Sequence, residues 1–270
     1  MLTKLLKHEF RATARIMGPL YLVLLAVALG FNFSARLMDS GNFVLNMLAA
    51  LVVMAYVVAI TAVFIVAFIL MLQRFYKKNL LGDEGYIMFT LPASVHQHVW
   101  SKLIVSAVWF IATGVVVFLS VFVAAFNVSF LTDLASVFPK LFQQMTAYYA
   151  VNGTVFALEL LALMLAACMS FSLQFYAALA AGHSFANHKM ALSVAFFFAF
   201  QFVVQMAGAI VLVLLDEGPL HQFLLTLDFQ LTGVAAVHFT MVALLLLTVL
   251  YGAIFYIVTT ITLKKRLNLE

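Results

Sequence analysis

The stretch FVLNMLAALVVMAYVVAITAVFIVAFILML, residues 43–72, contains no charged residue and decides the class of fold. About 20 apolar residues in a helix cross a bilayer core of about 30 Å, so this stretch is more than long enough. At about 1.5 Å per residue, its helix must tilt in the bilayer or extend beyond it into water. We therefore expect a transmembrane helix here and an α-helical membrane protein overall.

The composition of the whole chain agrees with this class. Of the 270 residues, 66% are apolar and 9% are charged, and the mean hydropathy is +1.15. This leaves too little polar surface for a soluble globule. We expect an all-α membrane protein with six transmembrane helices in one transmembrane domain, residues 1–270. The predicted spans are residues 17–35, 43–72, 103–126, 154–181, 190–215 and 237–263.

The basic residues are distributed unevenly between the two sides of these spans. With the N-terminus inside, 12 of the 14 Lys and Arg residues fall on the inner side, and only Arg36 and Lys140 fall outside. Short cytoplasmic loops retain Lys and Arg. We therefore expect both termini and the loop of residues 74–101 to be cytoplasmic, with the chain in the cell's cytoplasmic (inner) membrane. Because the basic residues flank apolar spans, nucleic acid is not an expected partner.

The first 16 residues predict an amphipathic helix in front of the first span. One helical face is basic and the opposite face is apolar. A helix of this kind lies on the inner membrane surface, and a plain positive-inside anchor is the alternative. The basic face consists of Lys4, Lys7, His8, Arg11 and Arg15, and the apolar face of Leu2, Leu5, Leu6 and Phe10.

Residues 83–91 of the cytoplasmic loop, DEGYIMFTL, predict a short helix. Asp83 is suited to cap its N-terminus, Glu84 lies in its first turn, and Pro92 prevents it from continuing. An exposed apolar helix lies flat on the headgroups or docks on a cytoplasmic protein, and the sequence leaves both open. Its apolar side chains are Tyr86, Ile87, Met88, Phe89 and Leu91.

The residues that flank this segment predict how it joins the neighbouring spans. Arg74, Lys77 and Lys78 are expected to reach the lipid headgroups where the second span ends. Ser94 and Gln97 are spaced as a capping box, which predicts the start of the helix that leads into the third span.

Glu159 is the acidic residue that lies well inside a predicted span. A charge at the bilayer centre costs about 2.5–3.5 kcal/mol on insertion scales, so this side chain needs a partner or a proton. Gln205 of the fifth span lies at a similar depth, and we expect the two to pair. Glu159, Gln201 and Gln205 are then polar points in a transport path or interhelical hydrogen bonds, and the sequence leaves both open.

The sequence lacks the usual signatures of catalysis and metal binding. No Gly is followed by Lys, so a phosphate-binding P-loop is missing. Residues 182–186, GHSFA, lack the second glycine of a nucleophile elbow. His96 and His98 point to different helical faces, which disfavours a shared metal. We expect no enzyme activity, metal or bound cofactor, and we expect these histidines, with His183 and His188, at headgroup level.

The stretch RFYKKNLLGDEGYIMFTLPASVHQHVWSKLI, residues 74–104, lies between a basic N-terminal segment and six spans. This combination resembles the permease subunits of type 2 ABC exporters, in particular bacterial drug- or lantibiotic-transporter-like permeases. The resemblance implies that residues 1–16 are an elbow helix and that residues 83–91 are a coupling helix docked on a separate ATPase. It also implies that the first, second and fifth spans face the transport path.

The resemblance further implies the partners of the chain and the form of its outer loop. ATP and Mg would be bound by the partner ATPase dimer, and a second permease chain, identical or paralogous, would complete the path. The outer loop, residues 216–236, would contain a re-entrant segment. Residues 220–231 are too short to span a membrane, which suggests a re-entrant or interfacial piece, and an ordinary loop helix is the alternative.

Three classes of function remain open at this point. The resemblance implies ATP-driven export of an amphipathic peptide, drug or lipid-like cargo. An ATP-independent carrier or channel with six helices is the second class. A membrane scaffold or sensor that docks a cytoplasmic protein is the third.

Overall fold

Six long helices make up most of the part of the chain that the computed structural model describes. The structure describes residues 2–37, 42–75, 94–126, 136–137, 139–140, 143–144, 152–185, 187–216 and 234–265. Within these ranges the chain has no β-strand, and each of the six helices is long and apolar enough to cross a membrane. An all-α membrane protein with six candidate spans is therefore confirmed. The helices are α1 Leu2–Leu37, α2 Phe43–Phe75, α3 Val95–Ala124, α4 Gly153–Gly182, α5 Lys189–Asp216 and α6 Val234–Lys265.

The first helix is longer than the apolar segment that predicted it. Residues 2–16 are helical and continue without a break into the first span, giving α1 a length of 36 residues, or about 54 Å. Pro19 lies inside this helix and cannot donate a hydrogen bond to the carbonyl of Arg15, a loss that membrane helices tolerate. A position of residues 2–16 on the membrane surface stays a prediction.

Two predicted elements and the orientation in the membrane are not tested by the structure. The short helix over residues 83–91 and the re-entrant segment over residues 220–231 lie outside the described residues. The cytoplasmic location of both termini stays a prediction as well.

Polar residues fix where α3 and α4 begin. The Ser94 hydroxyl accepts a hydrogen bond from the Gln97 backbone N–H at 3.3 Å, and the Gln97 side chain accepts one from the Ser94 N–H at 3.3 Å. This is the predicted capping box, and it is confirmed. Asn152 caps α4 by accepting from the Thr154 N–H at 3.1 Å. Both caps satisfy N–H groups that have no partner within the helix.

The described helices form two compact units, one made of α1–α3 and the other of α4–α6. In the first unit α1 packs against both α2 and α3, and in the second α4 packs against both α5 and α6. Glu9 contacts Lys102 near the start of α1 and α3, and Asn32 contacts Ala124 near the end of both. The two helices therefore run parallel. The first helix of each unit is therefore its central element.

Hydrogen bonds hold α1 and α3 in register within the first unit. The Tyr21 hydroxyl lies 2.8 Å from the Thr113 hydroxyl, and the Asn32 amide donates to the Ala124 carbonyl at 3.0 Å. Lipid tails are as apolar as leucine, so such bonds and close packing drive helix association in a membrane. The adjacent apolar cluster consists of Leu24, Ala28, Tyr56, Val63 and Ala124.

Small residues let the helices of the second unit approach closely. The Ser170 hydroxyl on α4 donates to the Thr248 carbonyl on α6 at 2.9 Å, and a Cβ at Gly252 would come within 2.5 Å of that hydroxyl. At the C-terminal end of α4, a Cβ at Gly182 would overlap the backbone of Ser193 on α5. A side chain is therefore excluded at Gly182 by the neighbouring backbone and at Gly252 by the Ser170 hydroxyl.

Gly182→Ala should destabilise the protein by about 1–3 kcal/mol, because α5 must move to make room for the methyl group. Gly208→Ala is the matched control, since a Cβ there meets nothing within 4 Å. The control should be neutral or slightly stabilising because Ala favours helix over Gly. Thermal unfolding in detergent measures both variants, and an equal change in the two would contradict the close approach.

Candidate functional site

A buried ion cluster joins the three helices of the first unit at one end. Glu9 on α1 is 3% exposed and Lys102 on α3 is 2% exposed. The Lys102 ammonium donates to the Glu9 carboxylate at 3.0 Å, and the Arg74 guanidinium on α2 lies 3.7 Å from the other carboxylate oxygen. One carboxylate therefore holds two cations, from the end of α2 and from the beginning of α3.

Polar neighbours extend this cluster along α1 and α3. The Trp109 indole N–H donates to the Thr13 hydroxyl at 2.7 Å, and the Thr13 hydroxyl donates to the Glu9 carbonyl at 2.8 Å. Beside them lies a cavity of about 20 Å³, lined in part by Glu9, Thr13, Arg74 and Lys102. A cavity of that size has room for one water molecule. The cluster is therefore a polar centre beside a small cavity that is also lined by apolar side chains such as Met17 and Leu70.

The sequence interpretation gave Arg74 no partner within the protein, and it missed Glu9 altogether. In the structure the Arg74 side chain is 16% exposed and faces Glu9. A signal was present, because Glu9 is the only acidic residue among the first 38. It also shares a helical stripe with the buried Thr13 and Met17, at a spacing of four residues.

The basic face of the N-terminal segment points away from this cluster. Its five basic side chains are exposed, whereas the opposite apolar face is partly buried. The Phe10 ring on that apolar face lies 6.4 Å from the Trp109 ring on α3. Part of the apolar face is thus used for packing within the protein. The exposed basic residues are Lys4, Lys7, His8, Arg11 and Arg15.

Glu159 pairs with His238 of α6, and the predicted pairing with Gln205 is wrong. The two carboxylate oxygens lie 2.9 and 2.8 Å from the His238 Nδ1. Gln205 was predicted as the partner because it lies at a similar depth in the bilayer. Depth does not determine which neighbouring helix a given turn of α4 faces. At Glu159 that helix is α6, and Gln205 is exposed on α5.

Gln201 belongs to a hydrogen-bonded triad that joins all three helices of the second unit. The Gln174 amide on α4 donates to the Gln201 carbonyl oxygen on α5 at 2.8 Å. The Tyr251 hydroxyl on α6 donates to the Gln174 carbonyl oxygen at 2.8 Å. Gln174 is 5% exposed, so the triad is an internal polar contact. Sequence reasoning missed Gln174, although a glutamine within an apolar span was a usable signal.

The structure therefore separates the three residues predicted as polar points of a path. Glu159 contacts His238, Gln201 contacts Gln174, and Gln205 lies at an exposed position. The seven residues predicted to dock an ATPase lie outside the described residues; they are Asp83, Glu84, Tyr86, Ile87, Met88, Phe89 and Leu91. No protein-family profile, curated protein or solved structure matches this chain.

Two of the histidines expected at headgroup level are buried. His98 lies inside the packing of the first unit, and His183 is enclosed where α4 ends. The His183 Nδ1 lies 2.7 Å from the Leu179 carbonyl oxygen. Burial lowers the pKa of His183, the Leu179 carbonyl opposes this change, and the nearby Lys189 charge lowers the pKa further. His183 is therefore neutral at neutral pH.

Glu9→Gln should lower the free energy of unfolding by about 3 kcal/mol, because it leaves the Lys102 ammonium buried without a carboxylate. Adding Lys102→Met should restore most of that loss, since it removes the uncompensated charge. Unfolding in detergent measures both variants. The exposed Lys7→Gln serves as the control and should change stability by less than about 0.5 kcal/mol. A double variant no more stable than Glu9→Gln would contradict the ion pair.

The wild-type protein should lose thermal stability as the pH falls below about 6.5, and His183→Gln should lose less. The folded state holds His183 neutral because its pKa is lowered, so the unfolded state binds a proton that the folded state does not. Melting temperatures between pH 7.5 and 5 measure the difference. His8→Gln, at an exposed position, should keep the wild-type pH dependence.

Proposed function

We propose that this chain is the permease subunit of an ATP-driven ABC exporter. It works as a dimer of permease chains, identical or paralogous, with a separate ATPase dimer that binds ATP and Mg. The cargo is an amphipathic peptide, drug or lipid-like molecule that crosses the cytoplasmic membrane. The observation that carries the proposal is the buried Glu9 cluster. It joins α1 to the end of α2 and to the beginning of α3, the two helix ends that flank residues 76–93.

The ends of the predicted coupling segment are firmly attached to the first unit. α2 ends at Phe75, which is fully buried, directly after Arg74. α3 begins at Val95, and Lys102 follows two turns later. Because breaking a buried ion pair is costly, these helix ends and the start of α1 move together. Rigid-body coupling requires this common motion, because a displacement of residues 76–93 must be transmitted to the helices and not taken up by local bending.

In the proposal, residues 83–91 are the part of the chain that the ATPase binds and displaces. In the proposal, Tyr86 and Phe89 fill a groove on the ATPase, and Asp83 and Glu84 meet basic residues beside it. Aromatic side chains in a pocket supply most of the energy of such contacts. The exposed basic face with Lys4 and its neighbours then holds the start of α1 against anionic lipid headgroups.

The polar contacts of the second unit favour a structural role for Glu159 and Gln201 in this exporter. Each side chain already has a partner on a neighbouring helix, His238 and Gln174 respectively. Interhelical hydrogen bonds of this kind stabilise helix packing in a membrane. We propose that both residues hold α4 against its neighbours while the permease moves.

An ATP-independent, proton-coupled carrier is the second candidate, and one observation favours it. Glu159 and His238 form an ionisable pair between two candidate transmembrane helices, and both side chains are partly exposed. Ionisable pairs in membrane helices are characteristic of proton relays. In such a carrier, protonation of this pair would drive transport without an ATPase.

Replacing Tyr86 and Phe89 together by Ser should detach the ATPase. The neighbourhood of the gene is searched for a P-loop ATPase, which is co-expressed with the chain, and co-purification and ATP hydrolysis in lipid vesicles are measured. We expect a loss of at least about ten-fold in both, because two apolar anchors are removed. Phe43→Ser is the control, since Phe43 is 80% exposed at the opposite end of α2. Unchanged co-purification of the double variant would contradict the proposal.

The same vesicles separate the exporter from the carrier. The exporter requires ATP and the ATPase, and Glu159→Gln leaves its transport intact. Transport by the chain alone, driven by an imposed pH gradient and abolished by Glu159→Gln, would establish the carrier instead.

A further inference from the structure

The second unit carries a groove between α4 and α6 that combines a polar floor with apolar walls. Its volume is about 370 Å³, within the range of small-molecule sites in proteins. Gln174 and Tyr251 lie in its floor, and Phe171 and Leu247 form part of its walls. The two wall residues are 44% and 61% exposed, so the groove is open along one side.

The floor of the groove has hydrogen-bonding capacity left over. Gln174 uses one N–H toward Gln201 and accepts one bond from Tyr251. A glutamine amide has a second N–H, and a tyrosine oxygen can accept a bond while it donates one. Among the described residues, no partner uses this N–H or this oxygen. The floor thus offers one donor and one acceptor next to each other.

The nearby hydroxyl groups do not compete for these positions as donors. Ser170 donates to the Thr248 carbonyl at 2.9 Å, and the Thr248 hydroxyl donates to the Leu244 carbonyl at 2.8 Å. Both bonds lie along or between the helices. The free donor and acceptor of the floor are therefore those of Gln174 and Tyr251.

We propose that this groove binds an uncharged amphipathic molecule with a hydroxyl or primary amide head group and an alkyl chain. The head group accepts from the Gln174 N–H and donates to the Tyr251 oxygen, and the chain lies against Phe171 and Leu247. A long-chain alcohol meets both requirements. Binding in this groove does not require an ATPase partner. The binding proposal and the exporter proposal can therefore be contradicted independently of each other.

The chemistry of the groove excludes charged head groups and pure hydrocarbons as preferred ligands. None of the groove-lining residues that the structure describes carries a charge at neutral pH, so an ion would be desolvated without compensation. A carboxylate cannot donate to the Tyr251 oxygen, and an ammonium cannot accept from Gln174. An alkane can neither donate nor accept a hydrogen bond, so it leaves the Gln174 N–H and the Tyr251 oxygen without partners.

A photoactivatable dodecanol that carries a diazirine near the middle of its alkyl chain tests the site. The full chain is placed in phosphatidylcholine nanodiscs, labelled, and mapped by mass spectrometry. We expect crosslinks concentrated around residues 167–171 of α4 and 247–251 of α6. Unlabelled dodecanol should displace the probe, whereas dodecane and dodecanoate should require at least about ten-fold higher concentrations, as expected for the loss of one or two hydrogen bonds.

Two variants and a control separate specific binding from contact with bulk lipid. Gln174→Leu removes the floor and should lower labelling by about ten-fold. Ala167→Trp fills the groove but keeps the Gln174 bonds, so it tests the site even if Gln174→Leu does not fold. Gln205→Leu makes the same chemical change at an exposed position on α5 and should leave labelling unchanged.

Several outcomes would overturn the proposal. Crosslinks spread evenly over the lipid-facing surfaces of the six helices, or equal competition by dodecane, would show ordinary contact with lipid. A folded wild-type chain without labelling at α4 and α6 would show that another part of the protein covers the groove. Undiminished labelling of Ala167→Trp would place the ligand elsewhere.

Discussion

The Glu9 carboxylate needs partners from neighbouring helices, because it is withdrawn from water, and the first unit is organised by the way it obtains them. Lys102 reaches it from α3 and Arg74 from α2, so the contact fixes one end of all three helices. A buried ion pair is stable only when the geometry is good and the remaining lone pairs are satisfied. The Lys102 hydrogen bond to one carboxylate oxygen and the approach of Arg74 to the other favour that condition.

In the described part of the second unit, polar side chains join the helices and no buried Lys or Arg takes part. Along α4, successive polar side chains turn to different neighbours: Glu159 and Ser170 contact α6, and Gln174 contacts both α5 and α6. Gly182 and Gly252 allow the backbones to approach closely enough for such bonds. Close packing and interhelical hydrogen bonds drive the association of membrane helices, because the hydrophobic effect does not act between helices in lipid. The central position of α4 follows from this distribution of polar and small residues.

Local chemistry was predictable from the sequence, whereas the choice of partner was not. The six apolar segments each gave a helix because backbone hydrogen bonds must be satisfied internally in a bilayer. The capping box at Ser94 depends on residues three apart, and it was found for that reason. The partners of Glu159 and Arg74 depend on which faces of distant helices meet, and neither depth nor charge counting contains that information. Gln174 shows the same limit, since its polarity was visible but its two partners were not.

The Glu9 contact also has a consequence for how the protein is made. Chains are synthesised from the N-terminus, so Glu9 leaves the ribosome long before Lys102 and Arg74. Until those residues arrive, the carboxylate must remain hydrated, and the start of α1 cannot take its final place. The third helix therefore closes the first unit during biogenesis. A chain interrupted before α3 would lack Lys102 and would leave Glu9 with Arg74 as its cationic partner.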